Sequence, residues 1–154
     1  MNALEKRLPP LLVAILFSLL MWLSARFLPG ALGLSTGWRV GLALMVLLAG
    51  GLICLAGVLS FRSARTTVNP LKPEMASTLV RSGVYRYTRN PMYLGFAAAL
   101  LAWSIFLASP ASLLGVMGFV SYMNQFQIEP EERALRDLFG SDFTQYCSRV
   151  RRWI

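Results

Sequence analysis

The sequence contains no histidine and only two cysteines in 154 residues. That double shortage argues against a zinc centre, which draws on imidazole and thiolate ligands. It argues equally against a disulfide framework, which belongs to cysteine-dense extracellular chains. Cys54 falls inside an apolar run and Cys147 in a polar tail, two unlike settings. Charge is scarce as well. Charged residues make up 14% of the chain, against a usual share of about 25%. With 56% hydrophobic residues, so short a chain cannot hide its apolar surface inside a water-soluble core. Lipid must cover part of it. The length admits a single domain, 1–154, and no internal repeat or low-complexity segment divides it.

What the chain does have is apolar runs, at 10–28, 38–61, 92–108 and 111–127. They predict an all-α, polytopic membrane protein with about four transmembrane helices. The first run, broken only by Ser18, Ser24 and Arg26, follows Lys6 and Arg7 as a signal peptide would. It is longer than a signal's apolar region and lacks a convincing small-residue cleavage site, so it reads as a retained helix. Pro29, Gly30, Gly33, Ser35 and Gly37 then mark a turn. Gly41, Gly50, Gly51 and Gly57 in the second run fit either a close-packing face or ordinary glycine tolerance in lipid. The third run starts just after Pro91, a favourable first helical position. Ser109 and Pro110 separate it from the fourth, so the two short runs form a tight hairpin. In the tail, Leu135, Leu138, Phe139, Phe143 and Tyr146 recur at near-helical spacing. An amphipathic helix on the membrane or against the connector follows.

The net charge is +8, and most of the basic residues sit in three places: Lys6 with Arg7, Arg62 to Arg89, and Arg133 to Arg152. Each flanks an apolar run, as cytoplasmic loops do. Anionic lipid headgroups account for the sign, and no nucleic-acid partner is implied. Four crossings place both termini, the connector and the tail in the cytoplasm, a bacterial inner membrane being the expected location. A polar connector from Arg62 to Asn90, with six basic residues and one acidic residue, is too long for a simple turn. Chemistry is expected where it meets the tail.

Two clusters carry that chemistry. Glu129, Glu131 and Glu132 stand at the end of the fourth run, where carboxylates are costly unless paired. Helix capping accounts for Glu129; for the others, sugar hydroxyls and connector arginines such as Arg86 or Arg89 are the sharper partners. The segment Gly83 to Gly95 interleaves Tyr85, Tyr87 and Tyr93 with Arg86, Arg89 and Asn90. Taken alone, these tyrosines fit an interfacial belt. The mixture also suits an adenine ring and an amino-acid carboxylate.

Three stretches in order, Thr66-Thr67-Val68-Asn69-Pro70, Thr78 to Tyr85 and Arg89 to Gly95, resemble the isoprenylcysteine carboxyl methyltransferase family. The tail, Glu131-Glu132-Arg133-Ala134-Leu135 followed by Phe139-Gly140 and Tyr146, continues the likeness. It spans Thr66 to Trp153 and points to a short, bacterial-type member of a group that includes integral-membrane phospholipid methyltransferases. The resemblance implies S-adenosyl-L-methionine as methyl donor, held by the regions 66–95 and 127–154. It implies cofactor contacts at Ser77, Thr78, Leu79, Val80, Tyr85, Asn90 and Glu131, with Asn69 a further candidate. Glu131 would take the ribose hydroxyls, and Tyr85, Leu79 and Val80 would surround adenine. Arg89 and Glu132 would pair to position the site.

The chain departs from eukaryotic members at two positions. Asn90 stands where they have histidine; it keeps a donor and an acceptor but does not titrate near neutrality. Gln127 stands where some place an arginine for the prenylcysteine carboxylate, four residues before Glu131. A lost cation weakens the case for that substrate, so cofactor and reaction type carry over and the acceptor does not. The expected activity is methyl transfer to a lipophilic or membrane-associated acceptor, carboxylate O-methylation being favoured. Lipid-amine N-methylation and thiol S-methylation are the alternatives. The rival class, a non-catalytic membrane accessory protein, explains the helices and basic loops but not the ordered motifs.

Overall fold

A computed structural model describes residues 8–27, 33, 35–64 and 78–154 of the chain. Asn69, Ser77 and the rest of 66–77 therefore lie outside the described residues. Among those described, every regular element is helical: α1 (Pro10–Phe27), α2 (Thr36–Ser63), a 3-10 turn (Gly83–Arg86), α3 (Pro91–Leu107), a 3-10 turn (Pro110–Ser112), α4 (Leu113–Met123), a π-helical turn (Asn124–Ile128) and α5 (Glu129–Arg149).

Helices α1 and α2 are long and apolar enough to cross a membrane, and only 17% of each span is buried inside the protein. A core helix of a soluble protein would be mostly covered. Here Leu11, Leu19 and Leu20 on α1, and Leu48, Leu52 and Leu55 on α2, stay exposed, the pattern of surfaces facing lipid. At about 1.5 Å per residue α2 is about 42 Å long, more than a hydrocarbon core of about 30 Å. It runs from 36 to 63, two residues beyond the expected run at each end.

α2 lies along α3 at backbone contact. A Cβ at Gly95 would sit 2.8 Å from the Gly50 carbonyl oxygen and from Cys54 Cβ, so only glycine fits there. Gly57 likewise backs onto Pro91, whereas Gly41 and Gly51 face open space. Two of the four second-run glycines thus form a packing face and two do not. On the other side α1 packs Phe17 edge-on against Phe119, their centroids 6.0 Å apart. The core there holds Val13, Met21, Tyr93, Leu100, Phe119, Met123 and Ile128. Between α1 and α2, with α3 as its floor, runs an apolar groove of about 550 Å³, lined among others by Ile15, Leu44, Phe96 and Trp103.

The expected hairpin is present, but its second arm does not end at 127. Pro110–Ser112 forms a 3-10 turn, α4 starts at Leu113, and the chain passes through the π turn into α5 without a break. Within α5 the helical course is interrupted at Gly140 (φ 52°, ψ −120°), a backbone conformation suited to glycine. The second part of α5 brings Phe143 and Tyr146 into a cluster with Val150, Leu79, Leu135 and Phe139. Of the two placements open to the tail helix, the one against the connector is therefore populated by its apolar side chains; Leu138 stays exposed.

Candidate functional site

Three chain segments converge where α3 begins: the loop 78–90, the π turn with the first turn of α5, and the residues after α5. Gly83 opens the loop's 3-10 turn with φ 61°, and a Cβ there would lie 2.7 Å from Ser60 Oγ. That turn buries Tyr85, whose ring meets Phe61 edge-on at 5.2 Å between centroids. The Tyr146 hydroxyl donates to the Tyr85 carbonyl at 2.7 Å, pinning α5 to the turn. Burial pushes the Tyr85 phenol well above its ordinary pKa, with the neighbouring Tyr146 and Glu131 adding to the shift. Burial does the same to Tyr146.

The tyrosines of this segment do not behave alike. Tyr87 is exposed, whereas Tyr93 is buried and donates a hydrogen bond of 2.5 Å to Glu131 Oε1. One residue further, Glu132 Oε1 forms an ion pair with Arg89 Nη2 at 3.0 Å, with both side chains largely buried. Arg152 grips the same carboxylate from the other side, Nη2 to Oε2 at 2.8 Å and Nε to Oε1 at 3.1 Å. That hydrogen bonding to Glu132 raises the Arg152 pKa, and the guanidinium also lies 3.6 Å from Glu129.

Asn90 precedes α3 but does not cap it with its side chain. Its Nδ2 donates instead to the Arg152 carbonyl at 2.9 Å. Thr88 Oγ1 reaches the same carbonyl at 3.4 Å, and the Arg89 N–H donates to the Arg151 carbonyl at 3.1 Å. Val80 is buried in the loop, Leu79 packs on the α5 cluster, and Thr78 is exposed. Arg81 lies 3.4 Å from Asp142, an exposed pair. Three buried donors have no hydrogen-bond partner among the described residues: Arg89 Nε, Gln127 Nε2 and, in the turn after α3, Ser109 Oγ. Gln127 belongs to the π turn, a distortion found disproportionately at functional sites.

The structure thus brings Tyr85, Arg89, Asn90, Glu131 and Glu132 to one junction. Sequence reasoning gave no specific site role to Thr88, Tyr93, Arg152 or Trp153. Tyr93 reads in sequence as one more interfacial tyrosine, and Arg152 as one more basic tail residue. The available signal for Arg152 is that the ordered motifs extend through Trp153, further than α5 itself needs.

The chain thus joins helices long and apolar enough to cross a membrane to a polar, carboxylate-bearing junction at the start of α3. The phospholipid methyltransferase family matches residues 38–142, and the chain belongs to that family. It is similar to protein-S-isoprenylcysteine O-methyltransferase A of Arabidopsis thaliana, with 29% identity over 140 residues, 90% of this chain and 70% of the plant protein. It is also similar to methanethiol S-methyltransferase 1 of Bradyrhizobium diazoefficiens, with 36% identity over 67 residues. That match takes in 44% of this chain and 22% of the relative. A Haemophilus influenzae protein of uncharacterized role matches along its whole length, 43% identical over 63 residues and 41% of this chain. Against the B form of the Arabidopsis enzyme the match spans 57% of the relative's length.

Proposed function

We propose that the protein transfers a methyl group from S-adenosyl-L-methionine to a lipophilic or membrane-associated acceptor, at the cytoplasmic face of a bacterial inner membrane. The observation that carries this reading is the junction of α3 and α5, where Tyr93, Arg89 and Arg152 hold two adjacent carboxylates at the end of an apolar bundle. In this reading α1, α2, α3 and α4 each cross the bilayer, leaving both termini, the connector and α5 in the cytoplasm. The charge asymmetry of the loops supports that orientation.

The residues present suit the cofactor. Glu131 offers carboxylate oxygens for ribose hydroxyls, beside a phenol that fixes its orientation. Tyr85, Leu79 and Val80 would supply the aromatic and aliphatic surface for adenine, and Arg89 Nε is a buried donor suited to an amino-acid carboxylate. Asn90, whose amide donates to Arg152, keeps a second donor and an acceptor. Thr78, Ser77 and Asn69 complete the proposed set from the connector.

Bound there, S-adenosyl-L-methionine supplies an electrophilic methyl group on a positively charged sulfur. The protein's own work is positioning and exclusion of water, because an ionised acceptor needs no proton removed. Arg89 and Glu132 act as positioning residues. The groove between α1 and α2 reaches Phe96, one turn beyond Tyr93, and suits the apolar part of an acceptor. A carboxylate acceptor is favoured, with lipid amines and thiols as the alternatives.

A methyl-transfer assay with labelled cofactor, run on prenylcysteine, lipid-amine and thiol acceptors, tests the reading. Label moving to any of the three supports it. Well-folded protein that neither binds the cofactor nor labels an acceptor would favour an accessory role. With no histidine in the chain, the pH profile also sorts the acceptors: a thiol rate climbs towards pH about 8.5, whereas a carboxylate rate is already level near neutrality.

A further inference from the structure

We propose that Arg152 is a positioning residue for methyl transfer, holding the loop before α3 in register with the start of α5. The proposal rests on the methyltransferase reading above. One residue makes both attachments. Its guanidinium forks onto Glu132, while its own carbonyl accepts from Asn90 Nδ2 and Thr88 Oγ1. The flanking residues strengthen the hold: Arg151 accepts from the Arg89 N–H, and Trp153 Nε1 donates to Asn124 Oδ1 in the π turn at 2.9 Å.

Helix termination does not require this course. α5 ends in extended backbone at Val150 (φ −124°, ψ 129°), whose N–H is already bonded to the Tyr146 carbonyl. The following residues cross back over the junction because they are bonded to it. The ion pairing is also more than a surface contact, which alone would contribute little. Glu132 is 13% exposed and shares Oε1 between Arg152 Nε and Arg89 Nη2, at 3.1 and 3.0 Å. Fork geometry fixes the plane of the carboxylate, and that plane fixes where Arg89 points. Arg89 in turn carries the buried, unpartnered Nε. Removing the Arg152 side chain frees Glu132 to rotate and Arg89 to follow, one residue from Glu131. The loss also removes a positive charge that lies against both Glu132 and Glu129.

The test compares wild type, Arg152→Ala, Arg152→Lys, Arg152→Ala with Glu132→Gln, and Arg136→Ala, all purified in one detergent. Cofactor affinity, kcat, KM and thermal melting are measured for each. Arg152→Ala is expected to weaken cofactor binding and lower kcat by tenfold or more at temperatures where it remains folded. Added guanidinium should restore part of that loss, and should do nothing for the double variant, which lacks the partner carboxylate. Arg152→Lys should keep its melting temperature yet remain severalfold impaired, because an ammonium cannot make the fork. Arg136, exposed on α5, should change nothing. A wild-type protein that binds no cofactor and methylates no acceptor would overturn the methyltransferase reading and this proposal with it. A fully active wild type with Arg152→Lys indistinguishable from it, or with Arg152→Ala unimpaired, would overturn this proposal alone. If Arg152→Ala fails to fold, the lysine variant decides.

Discussion

The phenol of Tyr93 and the carboxylate of Glu131 share one hydrogen bond of 2.5 Å, joining the first turns of α3 and α5 across 38 positions of sequence. A carboxylate at the edge of an apolar bundle needs such a donor. Tyr93→Phe removes the donor and leaves the ring. Losing a hydrogen bond to a charged group costs about 1.5–3 kcal/mol. Both the melting temperature in detergent and the calorimetric affinity for S-adenosyl-L-methionine should fall. Unchanged values for both would mean that Glu131 does not depend on Tyr93.

The three glutamates at the start of α5 should separate by role. Glu131→Gln is expected to weaken cofactor binding about tenfold to a hundredfold, corresponding to about 1.5–3 kcal/mol. Glu129 is half exposed and lies 3.6 Å from Arg152. Glu129→Gln should therefore cost no more than about 0.3–1 kcal/mol, the contribution of a charge at a solvated helix start. Equal effects on cofactor affinity would show that the cluster acts collectively and that Glu131 is not the ribose ligand.

Alkaline pH should loosen the junction. Tyr85 and Tyr146 both have phenols raised above the ordinary value of 10.0, chiefly by burial. A group raised in the folded state gives stability that is full below its unfolded pKa and is lost as pH climbs through the folded one. The contribution of this pair should stay level between pH 7 and 9 and decline above about 10. Tyr146→Phe should melt lower at neutral pH, having lost its bond to the Tyr85 carbonyl, and should show a shallower alkaline decline. Melting curves from pH 7 to 11 compare the slopes. A variant with an undiminished slope would exclude Tyr146 from that decline.

The proposed four-crossing orientation predicts opposite accessibility for two sites. In a background with Cys54 and Cys147 replaced by serine, Ala111→Cys in the turn before α4 should react with an impermeant maleimide added to intact cells. Asp137→Cys on α5 should react only after permeabilisation. The reverse pattern would place the junction outside and remove its access to a cytoplasmic cofactor.

The helices were legible because lipid imposes one simple requirement, a long apolar run. Runs 10–28 and 92–108 differ from α1 and α3 by a single residue at one or both ends. The continuity of α4 into α5 was not legible, since Gln127, Glu129 and Pro130 look like a boundary, and a π turn leaves no mark in hydropathy. Within the site, ordered motifs pointed to the residues beside α3 and α5. They could not show that Tyr93 differs from Tyr87, because burial of a tyrosine depends on what packs over it. Arg152 was harder still, being one arginine in the run Arg149, Arg151 and Arg152, distinguished only by contacts 20 and 62 positions away.

Those separations also set an order of assembly. A membrane helix closes its hydrogen bonds within four residues, and an adjacent hairpin such as α3–α4 closes over a short turn. The bonds from Thr88 and Asn90 to Arg152 span 64 and 62 residues. Loop closure over such distances comes late in folding, after the local elements have formed. The bundle can therefore be inserted and helical before its junction exists. A protein arrested at that stage would look native by circular dichroism and be inert, with the loop 78–90 and α5 open to protease.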